Sequence, residues 1–152
     1  MFSKAGMTAQ FKRPESVLII ICTIDQQVLL MKRLRPAEFW QSVTGSLEVD
    51  ESPQQTAERE LFEETGLTTD DIDIVVQYTG IQNIYPIHSA WRHRYHEKIQ
   101  YNKENVFIVR LSSARDIQLN INEHCEYRWR DKQQALELCS SVTNARAIEM
   151  LV

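Results

Sequence analysis

Three glutamates define the chemistry this sequence can do. Glu60, Glu63 and Glu64 stand at i, i+3 and i+4. On a helix turning about 100° per residue they share one arc of about 100°. Ala57 and Leu61 fall beside that arc, on the face expected to enter a core. Carboxylates so spaced repel one another by roughly 0.2–0.5 kcal/mol per exposed pair, and by more where they are partly buried. They also occupy a last helical turn, where the backbone dipole disfavours negative charge. A compensating cation explains why a chain would keep them. Clustered oxygen ligands select hard ions, Mg2+ first and Mn2+ as a substitute. For the three glutamates alone, a solvated acidic face stands as the alternative.

Their surroundings decide against that alternative. Between Gly45 and Leu67 the chain places seven acids against one base, Arg59. The segment holds −6 of a formal net charge of −4, which leaves +2 elsewhere, so the acidity is a local device. The segment reads Gly45, five residues, Glu51, seven residues, then Arg59-Glu60-Leu61-Phe62-Glu63-Glu64-Thr65-Gly66-Leu67, and it resembles the Nudix box at every defining position. Such a match arises by accident with a probability on the order of 10⁻⁷ at ordinary composition. The resemblance implies an α/β class fold, the Nudix α/β/α sandwich, with a central mixed sheet and a loop–helix–loop catalytic motif in a single domain over residues 1–152. It implies that Glu60, Glu63 and Glu64 supply metal ligands or the general base. It also implies that Gly45, Glu51, Arg59 and Gly66 hold the motif in position. The activity implied is hydrolysis of a diphosphate linkage in a small molecule, with divalent ions neutralising the phosphate charge.

The flanks bear on the substrate. Lys12-Arg13-Pro14, Phe39-Trp40-Gln41-Ser42-Val43-Thr44-Gly45-Ser46, Arg92-His93-Arg94-Tyr95 and Asn144 are similar to one bacterial subgroup of the family. That subgroup cuts dihydroneopterin triphosphate to the monophosphate and pyrophosphate in folate synthesis. Lys12 and Arg33, near strand ends, are either a triphosphate clamp or ordinary surface cations. Phe39 and Trp40 can stack on a pterin or a base, or belong to the core. Thr44 can offer a hydroxyl to phosphate, and Ser141 a hydrogen bond to substrate. Glu123, in the loop before Tyr127-Arg128-Trp129, stands where Nudix enzymes often place a further carboxylate as metal ligand or base. Two other functions are kept beside this one: a pyrophosphatase of dATP or damaged nucleotides, and a non-catalytic Nudix domain that senses a nucleotide. A pure sensor has no need of three crowded carboxylates. The stretch from Trp91 to Lys98 mixes bases with aromatics as single-strand binders do, yet it is short and reads as a substrate-side loop; no nucleic-acid partner is expected. His93 and His96 lack the further ligands of a zinc site.

The elements that must position these residues follow from pattern. Strands are expected at 16–24, 28–32 and 39–44, with a tight turn at Asp25-Gln26-Gln27. Ser52, Pro53 and Gln55 form a capping box with proline at the first position, so a helix runs from there to about Glu64 and stops at Gly66. Further strands are expected at 72–79, 106–111 and 127–130, with weaker ones near 82–84 and 118–121. Helices follow at 132–139 and 144–151, the second capped by Thr143. Strands around a few helices mean α/β with a mixed sheet. The length of 152 residues suits one domain, and 43 % hydrophobic with 25 % charged residues excludes a disordered chain. No apolar run reaches the span of a bilayer, so no membrane partner is expected. Residues 1–10 lack a signal-peptide core and are expected to be a flexible extension. Three cysteines fit neither a zinc site nor a disulfide framework, which points to free thiols and a cytoplasmic location. The oligomeric state is left open.

Overall fold

The β-branched run after Pro14 needs cover on both faces, and the topology supplies it. In the computed structural model, which describes residues 11–152, strand β1 (Glu15–Thr23) is buried at every position after Glu15. The extension expected at 1–10 lies outside the described residues. β6 (Tyr101–Leu111) runs parallel to β1 along its whole length, Glu15 opposite Lys103 and Thr23 opposite Leu111. β5 (Gln77–Pro86) lies antiparallel on the far side of β6. The other edge of β1 is shared. β2 (Gln27–Arg33) pairs with it only beside the hairpin, Cys22 opposite Val28. β4 (Val43–Ser46) takes the N-terminal half, from Ser16 opposite Ser46 to Ile19 opposite Val43. β2 meanwhile splays away to pair with β3 (Trp40–Gln41) and β7 (His124–Asp131). The seven strands make one mixed sheet. Arg33, Thr44 and His124 flank the divergence of β2 from β1 and line one cleft.

A helical layer covers each face. α1 (Pro53–Thr65) sets Ala57 and Leu61 on Val17, Ile19 and Phe107. α2 (Lys132–Leu138) and α3 (Val142–Leu151) set Ala135, Ala147 and Ile148 on Leu18, Ile20 and Val106. Each fully buried Leu or Ile contributes about 1.5–3 kcal/mol, so the layers are held chiefly by alternate residues of β1. The expected α/β/α layering is present. The three cysteines are free, and among the described residues no helix is long and apolar enough to cross a membrane.

Four local expectations are corrected. The strand expected at 72–79 begins only at Gln77 and absorbs the weak one at 82–84. Before it, the Asp73 N–H donates to Asp71 Oδ1 and the Gln54 amide takes the Val76 carbonyl, so side chains use the backbone groups a ladder would need. No strand forms at 118–121. There the Gln118 N–H bonds to Thr65 O, the Ile117 N–H to Tyr127 Oη, and the Trp129 indole donates to Arg115 O. The strand expected at 39–44 is two strands broken at Ser42, whose N–H donates to Asn144 Oδ1 at 2.7 Å and whose Oγ accepts from Asn144 Nδ2 at 2.9 Å. The last helix is capped by Ser141, not Thr143, because the Ser141 side chain accepts from the Asn144 N–H.

Candidate active site

The loop–helix–loop is assembled around one arginine. Ser52 and Gln55 close the capping box, Pro53 opens α1, and Gly66 ends it at φ 78°, a left-handed position that glycine takes without strain. Arg59 Nε donates to Glu51 Oε2 at 2.7 Å and Nη2 to Glu51 Oε1 at 2.9 Å, a two-point pair across the loop. Its remaining hydrogens reach Ser46 O at 3.1 Å, Glu60 Oε1 at 2.7 Å and Glu63 Oε1 at 3.2 Å. Gly45 leaves room for the Glu60 side chain: a Cβ there would stand 2.2 Å from Glu60 Cδ, so a larger residue would push that carboxylate aside.

Hydrogen bonding from Arg59 holds the Glu51 carboxyl down to about 2. A lowered folded-state pKa gives stability that is complete above the ordinary carboxylate value and is lost as pH falls through the lowered one. Glu51→Gln is therefore expected to cost on the order of 1–2 kcal/mol at neutral pH, solvent screening taking part of what the shift alone implies. The gap between variant and wild type should close between about pH 4.5 and pH 2, measured by denaturant unfolding. An equal gap at pH 7 and pH 2.5 would count against the pair.

The acids beyond the arginine are crowded. Glu64 is 2 % exposed, and burial, reinforced by Glu60, pushes its carboxyl up to about 10. Burial also raises Glu60, against the pull of Glu64 and Arg59. Glu63 is half exposed and tied to Arg59. His124 at the start of β7 is buried, and burial, with Arg33 assisting, lowers it to about 4, so its imidazole is neutral at pH 7. Its Nδ1 lies 3.6 Å from Glu64 Oε1, and neither ring nitrogen finds a hydrogen bond among the described residues. Glu123, exposed in the preceding turn, completes a group with Glu64 and His124 whose ligand atoms lie within 4.8 Å of one another. Buried acids with raised pKa values beside an orphaned imidazole are what a divalent cation would reconcile. The donor set fits such an ion.

This cluster opens onto a cleft of about 1090 Å³. Of the residues singled out in the sequence, Lys12, Arg33, Thr44, Glu60, Glu123 and Ser141 line it, with Gly45, Arg59 and Glu64 at the same wall. Lys12 Nζ stands 5.9 Å from the Tyr95 ring, its pKa lowered by burial and by Arg94. Thr44 Oγ1 accepts from the Gln41 amide at 3.4 Å. Glu51, Glu63 and Gly66 stay outside the lining and touch it through Arg59 and the helix. Trp40 is not brought to the cleft. It is 5 % exposed in the core beneath Arg128, whose guanidinium carbon stands 4.7 Å from its ring centre, so its alternative as a core residue is the one realised. In the sequence His124 is marked only as the neighbour of Glu123, with no role, and Glu104 not at all. The polar run Asn102-Lys103-Glu104-Asn105 leading into buried Val106 was the available signal for the second.

This loop–helix–loop against a mixed sheet, with its arginine-pinned glutamates, is a Nudix site, and the NUDIX domain model matches residues 12–151. The chain belongs to the Nudix family of hydrolases, which generally use divalent metals. It is 36 % identical over 148 residues to the dihydroneopterin triphosphate diphosphatase of Escherichia coli strain K12, covering 93 % of this chain and 94 % of that one. It is 33 % identical over 146 residues to the enzyme of the same name from Haemophilus influenzae, covering 95 % and 91 %. The solved structure of the E. coli dihydroneopterin triphosphate pyrophosphohydrolase superposes with a TM-score of 0.84 at 36 % identity, covering 93 % and 97 %. A NUDIX hydrolase structure from Listeria monocytogenes follows at 0.76 and 27 %, covering 91 % and 92 %.

Proposed function

We propose that this chain, as a single domain, hydrolyses dihydroneopterin triphosphate to dihydroneopterin monophosphate and pyrophosphate with Mg2+, or Mn2+ in its place. The observation that carries the substrate is the similarity over nine-tenths of both chains to diphosphatases of that name. The geometry supports it. Glu60 and Glu64, with Glu63 and His124 beside them, would hold the metal. The ion would neutralise the phosphates and the charge that develops as water attacks phosphorus. Lys12 and Arg33 flank the cleft as cations for the triphosphate, while Thr44 and Ser141 offer hydroxyls. Arg59, through Glu51 and Ser46, fixes the helix against the loop, and Gly45 leaves Glu60 the room it occupies. Glu123 faces the cleft from an exposed turn, where a water can reach it, and takes the proton of the attacking water. The reading includes a cytoplasmic enzyme with no nucleic-acid or membrane partner.

The test is pyrophosphate release from dihydroneopterin triphosphate, dATP and dGTP with Mg2+, compared by kcat/KM. The expected result is the highest value on dihydroneopterin triphosphate. A higher value on dATP would replace the pterin with a nucleotide, and no pyrophosphate from any triphosphate would overturn the enzymatic reading.

A further inference from the structure

Glu104 is a buried carboxyl that hydrolysis does not use. It lies on β6, 5 % exposed, in the wall of the cleft. By strand alternation it shares the face of Val106 and Ile108, the α3 side of the sheet and not the α1 side that carries the acidic cluster. Thr143 and Ser141 at the start of α3 border the same wall. Asn83 Nδ2 donates to Glu104 Oε1 at 3.1 Å. Asn102, two residues earlier on the same face, donates to Ser16 Oγ at 2.8 Å and to Tyr85 Oη at 3.1 Å, which spends both of its amide hydrogens on the protein. With that amide spent, the Glu104 carboxylate is the acceptor this wall turns toward a ligand. Burial raises the Glu104 pKa, the Asn83 and Thr143 side chains oppose the rise, and among the described residues no cation pairs with it. A carboxylate placed out of water without a cation is costly unless donors meet it. Asn83 and Thr143 meet it from the protein side, and the cleft is where further donors enter.

We propose that Glu104 is a specificity residue that accepts the ring N3–H and the 2-amino hydrogen of a 2-amino-4-oxopyrimidine, the edge that pterins and guanine share. Two parallel N–H donors match the two oxygens of one carboxylate, while Asn83 fixes the carboxylate plane. Adenine presents an amino donor beside the lone pair of ring N1, so one carboxylate oxygen would face a like partner. The wall therefore selects by the heterocycle, while the acidic cluster on the other face deals with the phosphates. This rests on the reading of the chain as a triphosphate pyrophosphohydrolase and names the part of the substrate it recognises.

Glu104→Gln keeps the shape but offers one acceptor and one donor, so it pairs with one hydrogen and opposes the other. KM for dihydroneopterin triphosphate and for dGTP is expected to rise roughly 10–100-fold, with kcat within about threefold, and the preference for them over dATP to fall by the same factor. An equal rise for dATP would mark general damage to the cleft and overturn the proposal, as would KM values within threefold of wild type. A second measurement needs neither the variant nor turnover. Direct titration of the wild type should bind neopterin at least ~10-fold more tightly than the corresponding 2,4-dioxo pteridine, which places a carbonyl where the amino group stood. Equal binding of the two, or binding of neither, would overturn the role of Glu104 even if pyrophosphate is released. A clear preference with no pyrophosphate from any triphosphate would keep Glu104 and sink the proposed activity.

Discussion

Glu64→Gln is expected to lower turnover at least ~100-fold while leaving the metal-free fold as stable as wild type or slightly more so. The two halves have one cause. Glu64 is almost wholly buried, with Glu60 and Glu123 near it and an imidazole nitrogen at 3.6 Å. Without a cation burial keeps Glu64 protonated at pH 7, so folding must take up a proton that the unfolded chain would release, and an amide of the same shape escapes that cost without loss of packing. With a cation it is a strong ligand, and the amide is a weak one. Thermal unfolding with and without Mg2+ separates these effects. Wild type should gain stability with Mg2+ as any protein gains from a ligand of its folded state, and the variant should gain much less. Near-normal turnover at low Mg2+, or an undiminished Mg2+ shift, would show that Glu64 holds no metal.

The parts of the fold that were legible are those whose information is local. The capping box at Ser52, the proline after it and the glycine stop at Gly66 each act within a few residues, and α1 begins and ends where they say. The continuous apolar run of β1 gave away its central place for the same reason: a strand without a polar face has nowhere else to go. Two of the four failed expectations were decided by partners outside their own segments. Residues 118–121 alternate like a strand, but the Trp129 and Tyr127 side chains and the end of α1 claim the backbone of that loop. The break at Ser42 exists because Asn144 reaches across from α3. Neither pairing has a signature inside its own segment.

The same division runs through the candidate site. Gly45, Glu51, Arg59 and the three glutamates follow a spacing dictated by one helix and its loop, so they could be read in a line and they do meet. Trp40 was read by type alone, as an aromatic near the motif, and burial beneath Arg128 takes it out of the cleft. His124 shows the converse. As one histidine in an acidic turn it says nothing, until the sheet brings β7 beside α1 and leaves both ring nitrogens without partners. Glu104 is a similar case, since only the topology puts a charged residue of a central strand into the wall of a cavity.

Glu123→Gln is expected to depress turnover by ~10²–10⁴-fold while KM stays within a few fold, the loss typical of a general base. Position argues for Glu123 over its neighbours. Glu64 is sealed from solvent and Glu60 is engaged by Arg59 at 2.7 Å, whereas Glu123 stands on an exposed turn at the cleft. Its backbone is fixed, because the Leu34 N–H donates to the Glu123 carbonyl at 2.9 Å, so the carboxylate is presented from a defined point beside β2. A base must be deprotonated to act, so the variant should also lose the acidic limb of the kcat profile. Recovery of activity by excess Mg2+ or Mn2+, with the acidic limb intact, would make Glu123 a metal ligand and not the base. A change below about threefold with an unaltered profile would remove it from both roles. The proton would then have to pass to a carboxylate of α1, and Glu63, half exposed and bonded to Arg59, is the next candidate.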